Sequence, residues 1–222
     1  MTQNIWSQGE ADAWFERNES KFSDSGGRTD VVDLLEFFDR QHLKVSSVLE
    51  VGCSSGTVVE AIAIHTGARG VGVDLSEKAI TEGNQRLDET DVPVELVVGT
   101  AARLPFEDHE FDVVVGGFFL YAIPQNQLLS TLAEIDRVLK PGGYLSILDF
   151  AFPHFISVPY AHEPGSTVAK RKYVDILTST QHYSVAFART YSEESGAFSE
   201  DPNQRIGFSI LFKEPQPYLQ VG

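Results

Sequence analysis

The sequence predicts an α/β fold in which helices cover both faces of a mostly parallel sheet. From residue 45 to about residue 150, short apolar segments typical of strands alternate with segments whose apolar residues recur at helical spacing. That alternation is typical of parallel sheets. Two later segments, 183–187 and 206–212, alternate apolar with small or polar residues, which predicts a C-terminal antiparallel strand pair. We therefore expect a seven-stranded sheet whose last two strands run antiparallel.

A strand, a glycine loop and the start of a helix occupy residues 48–59. The apolar run contains Glu50 near its end and stops at Gly52, and an amphipathic segment opens after Gly56. This order is typical of a buried parallel strand followed by a tight turn into a helix. Ligands of open α/β sheets bind beyond the carboxyl ends of the strands, so the loop is expected to form the floor of a binding site.

The spacing of the loop glycines indicates what kind of ligand it suits. A dinucleotide-binding loop has a middle glycine that lets the backbone approach a pyrophosphate, but here Cys53 and Ser54 follow Gly52 and the next glycine is Gly56. A phosphate-binding P-loop is excluded because no Gly-Lys-Ser/Thr follows. The loop therefore suits a nucleoside without phosphates.

Five stretches resemble, in the expected order, the motifs of class I S-adenosylmethionine-dependent methyltransferases. The first, Glu-Val-Gly-Cys-Ser-Ser-Gly, resembles motif I of that family, written E/D-x-G-x-G-x-G. The five stretches are residues 50–56, 72–76, 99–106, 111–115 and 139–145. Together they extend the resemblance over roughly residues 45 to 150, beyond which it fades.

The resemblance implies a Rossmann-like class I methyltransferase fold that binds S-adenosyl-L-methionine. Carried over position by position, it gives a set of cofactor-binding candidates, which are Glu50, Gly52, Cys53, Ser54, Gly56, Asp74, Leu75, Thr100, Ala101, Gly116 and Phe118. Residues 45–222 would then form the S-adenosylmethionine-binding domain. No clustered carboxylates or His/Cys set indicates a metal site.

Asp74 and Thr100 carry the most specific expectations within that set. A carboxylate at the end of the second strand can accept hydrogen bonds from both ribose hydroxyls; the alternative is that Asp74 only begins the turn before the helix cap Ser76. The family usually has aspartate where this chain has Thr100, and that carboxylate accepts from the adenine amino group. The departure would weaken cofactor binding by about 1 kcal/mol.

Residues 1–44 are predicted to form an N-terminal helical lid or cap. Both tryptophans, Trp6 and Trp14, lie ahead of the first strand. Aromatic side chains there would exclude water from the site; the alternative is a helix that packs on the surface of the domain.

The segment after the fifth strand is where we expect the methyl acceptor to bind. Residues 151–164 are too long for a simple connection, and residues 168–180 predict a helix. The candidate bases for an acceptor hydroxyl are His154, His162 and His182, with Asp149 and Glu163 behind them; each could instead have a structural role. The acidic loop 192–203 is interpreted as solvated in preference to folding over the site.

Charge and cysteine content limit the partners and the compartment. The net charge is −15, from 32 acidic and 17 basic residues, which disfavours nucleic acid and anionic membranes as partners. The single cysteine, Cys53, excludes an intrachain disulfide, and neither a signal peptide nor a membrane-spanning run is evident. We expect a cytoplasmic protein; a homodimer is left open.

The function predicted from these residues is methyl transfer from S-adenosylmethionine to a small-molecule acceptor. A faint likeness of the C-terminal part to enzymes of bacterial sugar and surface-polysaccharide clusters suggests a sugar hydroxyl, while quinone or fatty-acid acceptors remain open. One alternative is a nicotinamide oxidoreductase, against which stand the missing middle glycine and the lack of a Tyr-x-x-x-Lys pair. The other is a non-catalytic partner subunit with the same fold, which Thr100 favours.

Overall fold

The computed structural model describes residues 7–18 and 27–215. The helices in these ranges are α1 (Gln8–Asn18), α2 (Thr29–Gln41), α3 (Thr57–Thr66), α4 (Glu77–Leu87), α5 (Leu128–Val138) and α6 (Val174–Thr178), with 3-10 turns at Leu120–Ala122 and Pro202–Gln204. The strands are β1 (Ser47–Val51), β2 (Arg69–Asp74), β3 (Val94–Val98), β4 (Phe111–Gly117), β5 (Leu139–Phe150), β6 (Ile156–Pro159), β7 (Thr167–Lys170), β8 (Tyr183–Ser192) and β9 (Arg205–Lys213).

Seven of the strands form one sheet, in the order β3-β2-β1-β4-β5-β9-β8. Strands β1 to β5 are parallel, β9 pairs antiparallel with β5, and β8 pairs antiparallel with β9. The predicted seven-stranded, mostly parallel sheet with a C-terminal antiparallel pair is therefore confirmed. The parallel strands all end at one edge of the sheet, as a ligand site of this fold requires.

Two hydrophobic cores lie on the two faces of the sheet. In β1, Val48 belongs to the core shared with α2 and α3, whereas Leu49 and Val51 belong to the core shared with α5. Successive side chains of a strand point to opposite faces, and both cores are apolar, so both faces of a central strand carry apolar side chains. This burial explains why the run 48–51 could be recognised in the sequence.

Residues 151–173 differ from the prediction. They form a two-stranded antiparallel sheet in which Val158 pairs with Val168, so the predicted helix over 168–180 is wrong in its first half and only Val174–Thr178 is helical. Val168 is buried within that hairpin. A few apolar residues at mixed spacing do not distinguish a short strand from a helix, and here the partner strand decided the outcome.

The junction between α5 and β5 also differs from the prediction. The apolar spacing of residues 125–140 predicts one helix, but α5 ends at Val138 because Leu139 already pairs with Phe111 of β4. The Lys140 Nζ atom donates to Asp112 at 2.6 Å, which fixes this end of the strand. Among the described helices, none has both the length and the apolarity needed to cross a bilayer.

Candidate active site

A cavity of about 930 Å³ lies at the carboxyl ends of β1, β2, β3 and β4. It gathers most of the predicted cofactor-binding residues, namely Glu50, Gly52, Cys53, Ser54, Asp74, Leu75, Thr100, Ala101 and Phe118. Gly56 and Gly116 are the two that do not line it. Residues from the ends of four strands thus meet in one place, as expected from neighbouring parallel strands.

The two glycines outside the lining have packing roles. Gly56 has φ +75°, and a Cβ there would lie 2.5 Å from the Cδ2 atom of Leu96. A Cβ on Gly116 would lie 2.3 Å from the Phe119 ring. The position of Gly116 was expected to admit a ligand, but the ring of Phe119 fills that space instead.

Asp74 holds the loop with both of its carboxylate oxygens. The Ser54 N–H donates to Oδ2 and the Ser76 N–H donates to Oδ1, each at 2.8 Å. Burial raises the pKa of the Asp74 carboxyl, and the hydrogen bonds from these N–H groups oppose that shift. The turn role weighed for Asp74 is therefore present, and the Leu75 N–H adds a third hydrogen bond to the carboxylate.

Glu50 is a buried carboxyl group on the floor of the cavity. Its Oε2 atom accepts from the Val59 N–H at 2.9 Å, in the first turn of α3. Burial raises its pKa to about 8, while the Val59 N–H and the Arg28 guanidinium lower it. At the end of β5, burial likewise raises the pKa of Asp149 to about 7.

These raised pKa values predict that the protein is more stable at pH 5 than at pH 9. A group whose pKa is raised by folding stabilises the folded state below its unfolded pKa, and that stability is lost as the pH rises through the folded pKa. For Glu50 the window runs from 4.5 to about 8, and for Asp149 from 3.8 to about 7. Each group can contribute a slope of at most about 1.4 kcal/mol per pH unit within its window.

The Glu50→Gln variant should therefore show a shallower fall of melting temperature between pH 5 and 9, measured by scanning calorimetry. Glu134→Gln is the matched control, because the hydrogen bond from Arg137 lowers the pKa of Glu134 and its contribution changes only at more acidic pH. A Glu50→Gln slope equal to that of the wild type would contradict the assignment.

Helix α1 forms one wall of the cavity. Ala11, Trp14 and Asn18, which share a face of the helix, line it, and the Trp14 side chain hydrogen-bonds to Tyr121. Asp12 accepts from the Ser76 hydroxyl at 2.7 Å and from the Lys78 N–H at 3.1 Å, which ties α1 to the start of α4. The described part of the 1–44 segment thus contacts the cavity, whereas Trp6 lies outside the described residues.

The other side of α1 is tied to the connection between β6 and β7. The Tyr160 hydroxyl donates to Glu10 at 2.7 Å, and Arg17 donates to Glu10 at 2.5 Å and to the Tyr160 oxygen at 3.2 Å. We call these three side chains the clasp. The clasp joins an N-terminal helix to a hairpin about 150 positions later, so α1 is held from both sides.

Aromatic side chains form one region of the cavity lining, which we call the aromatic chamber. Phe118, Tyr121, Phe150 and Tyr191 line it, and the Phe150 ring centroid lies 5.6 Å from that of Phe118 and 5.2 Å from that of Tyr121. Phe118 has φ +51°, a strained conformation for a residue with a Cβ. Asp149 fixes this region by accepting from the backbone N–H groups of Tyr121 at 3.2 Å and Phe150 at 2.7 Å.

Arg28 is a cavity residue that the sequence reasoning missed. It donates to both oxygens of Asp30, from Nη2 at 2.8 Å and from Nε at 3.1 Å, and both residues line the cavity. The Nη2 atom lies 3.5 Å from the point that a Cβ on Gly117 would occupy, at the tip of β4. The sequence shows only an arginine just before a predicted helix. A single residue has no periodicity from which its place in the fold could be predicted.

The loop 192–203 was interpreted as solvated, and most of its residues are exposed, Glu193, Glu194 and Asn203 among them. Its two ends nevertheless lie beside the cavity, because Ser192, Glu193, Glu194 and Asn203 line it. Strand β8 extends to Ser192, which pairs with Arg205, and this pairing brings the loop to the same sheet edge as Gly52.

The three candidate histidines do not meet in the cavity. His154 and His162 are exposed, and the His162 ring contacts Tyr160 at 5.4 Å between centroids. His182 precedes β8 at the opposite edge of the sheet, where its carbonyl accepts from the Glu214 N–H. None of the three lines the cavity, so the geometry does not support them as bases; the β6–β7 hairpin turns the first two outward. Among the described residues, no group of three or more His, Cys, Asp or Glu side chains has an arrangement that could hold a metal.

Comparisons with known proteins agree with this geometry. The profile of the family described as "Methyltransferase domain" matches residues 48–143. A demethylmenaquinone methyltransferase of Listeria welshimeri is 38% identical over 114 residues, which are 50% of this chain and 48% of that protein. One from Bacillus cereus is 33% identical over 153 residues, 68% of this chain and 60% of that protein. The chain thus spans about half the length of the first relative.

Two solved structures share the fold at low sequence identity. The 1,6-didemethyltoxoflavin-N1-methyltransferase of Burkholderia thailandensis, solved with its substrate and S-adenosylhomocysteine, has a TM-score of 0.73 and 15% identity, covering 93% of this chain and 87% of that one. The N-methyltransferase NodS of Bradyrhizobium japonicum has a TM-score of 0.65 and 18% identity, covering 93% and 94%. At these identities the likeness concerns the fold.

Proposed function

Since the chain belongs to the class I S-adenosylmethionine-dependent methyltransferases, we propose that it transfers a methyl group from S-adenosylmethionine to a small-molecule acceptor. The observation that carries the proposal is a single cavity that joins the loop residues Gly52, Asp74 and Ala101 to an aromatic chamber. Direct methyl transfer requires that the cofactor and the acceptor bind next to each other in one space.

The cofactor end has donors and acceptors suited to a nucleoside. Asp74 would accept from the ribose hydroxyls, and the backbone N–H of Ala101 would donate to a ring nitrogen of the adenine. The Thr100 hydroxyl accepts weakly from the Ala102 N–H at 3.3 Å, which leaves a lone pair for the adenine amino group. Arg28 would attract the carboxylate of the methionine moiety at the tip of β4.

The acceptor end suits an uncharged aromatic ring of the quinone type better than a sugar. Aromatic walls stack well on planar rings, and the relatives named above are demethylmenaquinone methyltransferases. The sugar hydroxyl suggested by the sequence has no such support. The likeness to those relatives covers only part of each protein, so the acceptor is our proposal.

The charges at the acceptor end disfavour an anionic acceptor such as a fatty acid. Arg205 donates to the carbonyl oxygens of Ser199 and Glu200, each at 2.7 Å. This cation is thus engaged within the protein, while Glu193 and Glu194 add negative charge to the lining.

The protein's own contribution would be alignment and exclusion of water. The chemistry supplied by bound S-adenosylmethionine is an activated methyl group on its sulfonium. Helix α1 covers the cavity, the aromatic walls orient a flat acceptor, and the Tyr121 hydroxyl stays neutral because burial and Asp149 raise its pKa to about 12. A neutral hydroxyl there can donate a hydrogen bond to an acceptor oxygen.

Calorimetry with S-adenosylhomocysteine and NAD, followed by an acceptor screen, tests the proposal. We expect binding of S-adenosylhomocysteine but not NAD, and turnover of S-adenosylmethionine with reduced 1,4-naphthoquinone but not with methyl glucoside or octanoate. Turnover with methyl glucoside alone would overturn the acceptor class. Failure to bind S-adenosylhomocysteine at high micromolar concentration would favour the non-catalytic partner subunit, and NAD binding alone would favour an oxidoreductase.

A further inference from the structure

Two rings of the aromatic chamber each have a cation over them that does not itself line the cavity. The Lys170 Nζ atom lies 3.9 Å from the centroid of the Phe150 ring, and the Arg189 guanidinium carbon lies 5.2 Å from that of Tyr191. Both rings line the cavity, whereas neither cation does. The two rings therefore separate these cations from the space that an acceptor would occupy.

The two cations differ in whether a carboxylate balances their charge. Arg189 forms an ion pair with Asp33 at 3.1 Å. The Lys170 ammonium has neither a hydrogen bond nor an ion pair with any residue that the structure describes. Asp149 acts on Lys170 only at longer range, and its carboxylate oxygens already accept from backbone N–H groups. Lys170 is therefore the less neutralised of the two cations.

The β6–β7 hairpin fixes Lys170 in this place. Lys170 ends β7, which packs beside the 3-10 turn Leu120–Ala122. The hydroxyl of Tyr173, a residue only 2% exposed, donates to the Ala169 carbonyl oxygen at 2.8 Å. Burial lowers the pKa of the Lys170 ammonium, whereas the charge of Asp149 raises it. The ammonium is thus partly removed from water, where its electrostatic interactions are stronger than in solvent.

We propose that Lys170 is a specificity-determining residue that acts through Phe150 and makes the aromatic chamber prefer an electron-rich aromatic ring to an electron-poor one. The proposal rests on the proposed function for the place where the acceptor binds. The faces of an electron-rich ring are negative, so the ammonium behind the chamber wall attracts them, as in a cation–π contact. A ring with strongly electron-withdrawing substituents has no negative face and gains nothing from this charge.

Two carboxylates of the lining oppose the charge of Lys170 only weakly. Glu193 and Glu194 line the cavity, but both are exposed. Water and salt screen exposed charges much more than partly buried ones. The ammonium of Lys170 therefore has the larger effect on a ring held against Phe150.

Benzyl alcohol and pentafluorobenzyl alcohol test this preference, because the two have a similar shape and the same hydroxyl group but opposite ring quadrupoles. Their dissociation constants are measured by ligand-observed NMR on the complex with S-adenosylhomocysteine, whose formation is checked by calorimetry. Lys170→Met and Lys170→Gln remove the charge, and Lys170→Arg keeps it. Arg171→Met is the matched control, because the Arg171 guanidinium lies 5.8 Å from the centroid of Phe155, a ring that does not line the cavity.

We expect the preference for benzyl alcohol over pentafluorobenzyl alcohol to fall by about threefold in Lys170→Met and Lys170→Gln. It should keep its wild-type value in Lys170→Arg and Arg171→Met. Equal weakening of both alcohols, which a merely structural role would cause, would overturn the inference, and so would an equal fall of the preference in Arg171→Met.

Failure of the cofactor site and failure of the chamber give different results. If the wild type binds S-adenosylhomocysteine but neither alcohol, this inference is overturned and the cofactor part of the proposed function stands. If it does not bind S-adenosylhomocysteine, the proposed function fails and this inference with it.

Discussion

Replacing Gly52 by valine should abolish binding of S-adenosylhomocysteine, with a loss on the order of a hundredfold or more. Gly52 has φ +73°, and a Cβ there would lie 2.8 Å from the Phe119 Cβ atom. A branched side chain would have to displace Phe119 or move the loop into the cavity floor. Isothermal calorimetry against S-adenosylhomocysteine measures the effect directly.

Gly67→Val is the matched control for this variant. Gly67 also has φ +73° but no heavy atom within 4 Å of the point where a Cβ would lie, and it ends α3 away from the cavity lining. It should share the backbone penalty of the Gly52 variant and keep the affinity of the wild type. Equal loss of binding in both variants would mean that general destabilisation, not the loop, is responsible.

Replacing Asp74 by alanine should weaken cofactor binding by roughly 1.5–3 kcal/mol, about 10- to 150-fold, as expected for a charged hydrogen-bond partner. The side chain would lose its bonds to the ribose, and the N–H groups of Ser54 and Ser76 would lose the oxygens that now accept from them. Asp74→Asn, which keeps one accepting oxygen, should lose less. An affinity unchanged from the wild type would rule out the ribose assignment.

Asp112→Ala is a suitable comparison because Asp112 also accepts from two backbone N–H groups. Its Oδ2 atom lies 2.8 Å from the Ser46 nitrogen and 3.0 Å from the Ser47 nitrogen, at the opposite edge of the sheet. Its loss should lower the melting temperature without changing the affinity for S-adenosylhomocysteine. The pair of variants therefore separates a structural carboxylate from one that binds the ligand.

The sheet could be predicted because strands that are buried on both faces have mostly apolar sequences. Three of the four residues 48–51 are apolar because β1 is buried on both faces, and Gly52 and Gly56 mark turns that a Cβ would obstruct. These are local properties, so they are visible without knowledge of the fold. Asp74 could be predicted for the same reason, because it is the last residue of β2.

The other half of the cavity could not be predicted because distant contacts create it. Arg28 reaches the tip of β4 only after α2 has packed on the sheet, and the ends of the loop 192–203 reach the cavity through the pairing of Ser192 with Arg205. The histidines were chosen by their place after β5, but the β6–β7 hairpin directs His154 and His162 to the surface. No periodicity or motif encodes these long-range arrangements.

The cavity draws its lining from Ala11 to Ile206, whereas the family profile covers only residues 48–143. The shared region supplies Gly52, Asp74 and Ala101 together with Phe118 and Tyr121, and the flanking segments supply Trp14, Phe150 and Tyr191. The shared region and the flanking segments can therefore diverge separately in evolution. Exchange or divergence of the flanking segments, with the clasp between them, offers a route to a new acceptor preference while the nucleoside half stays the same.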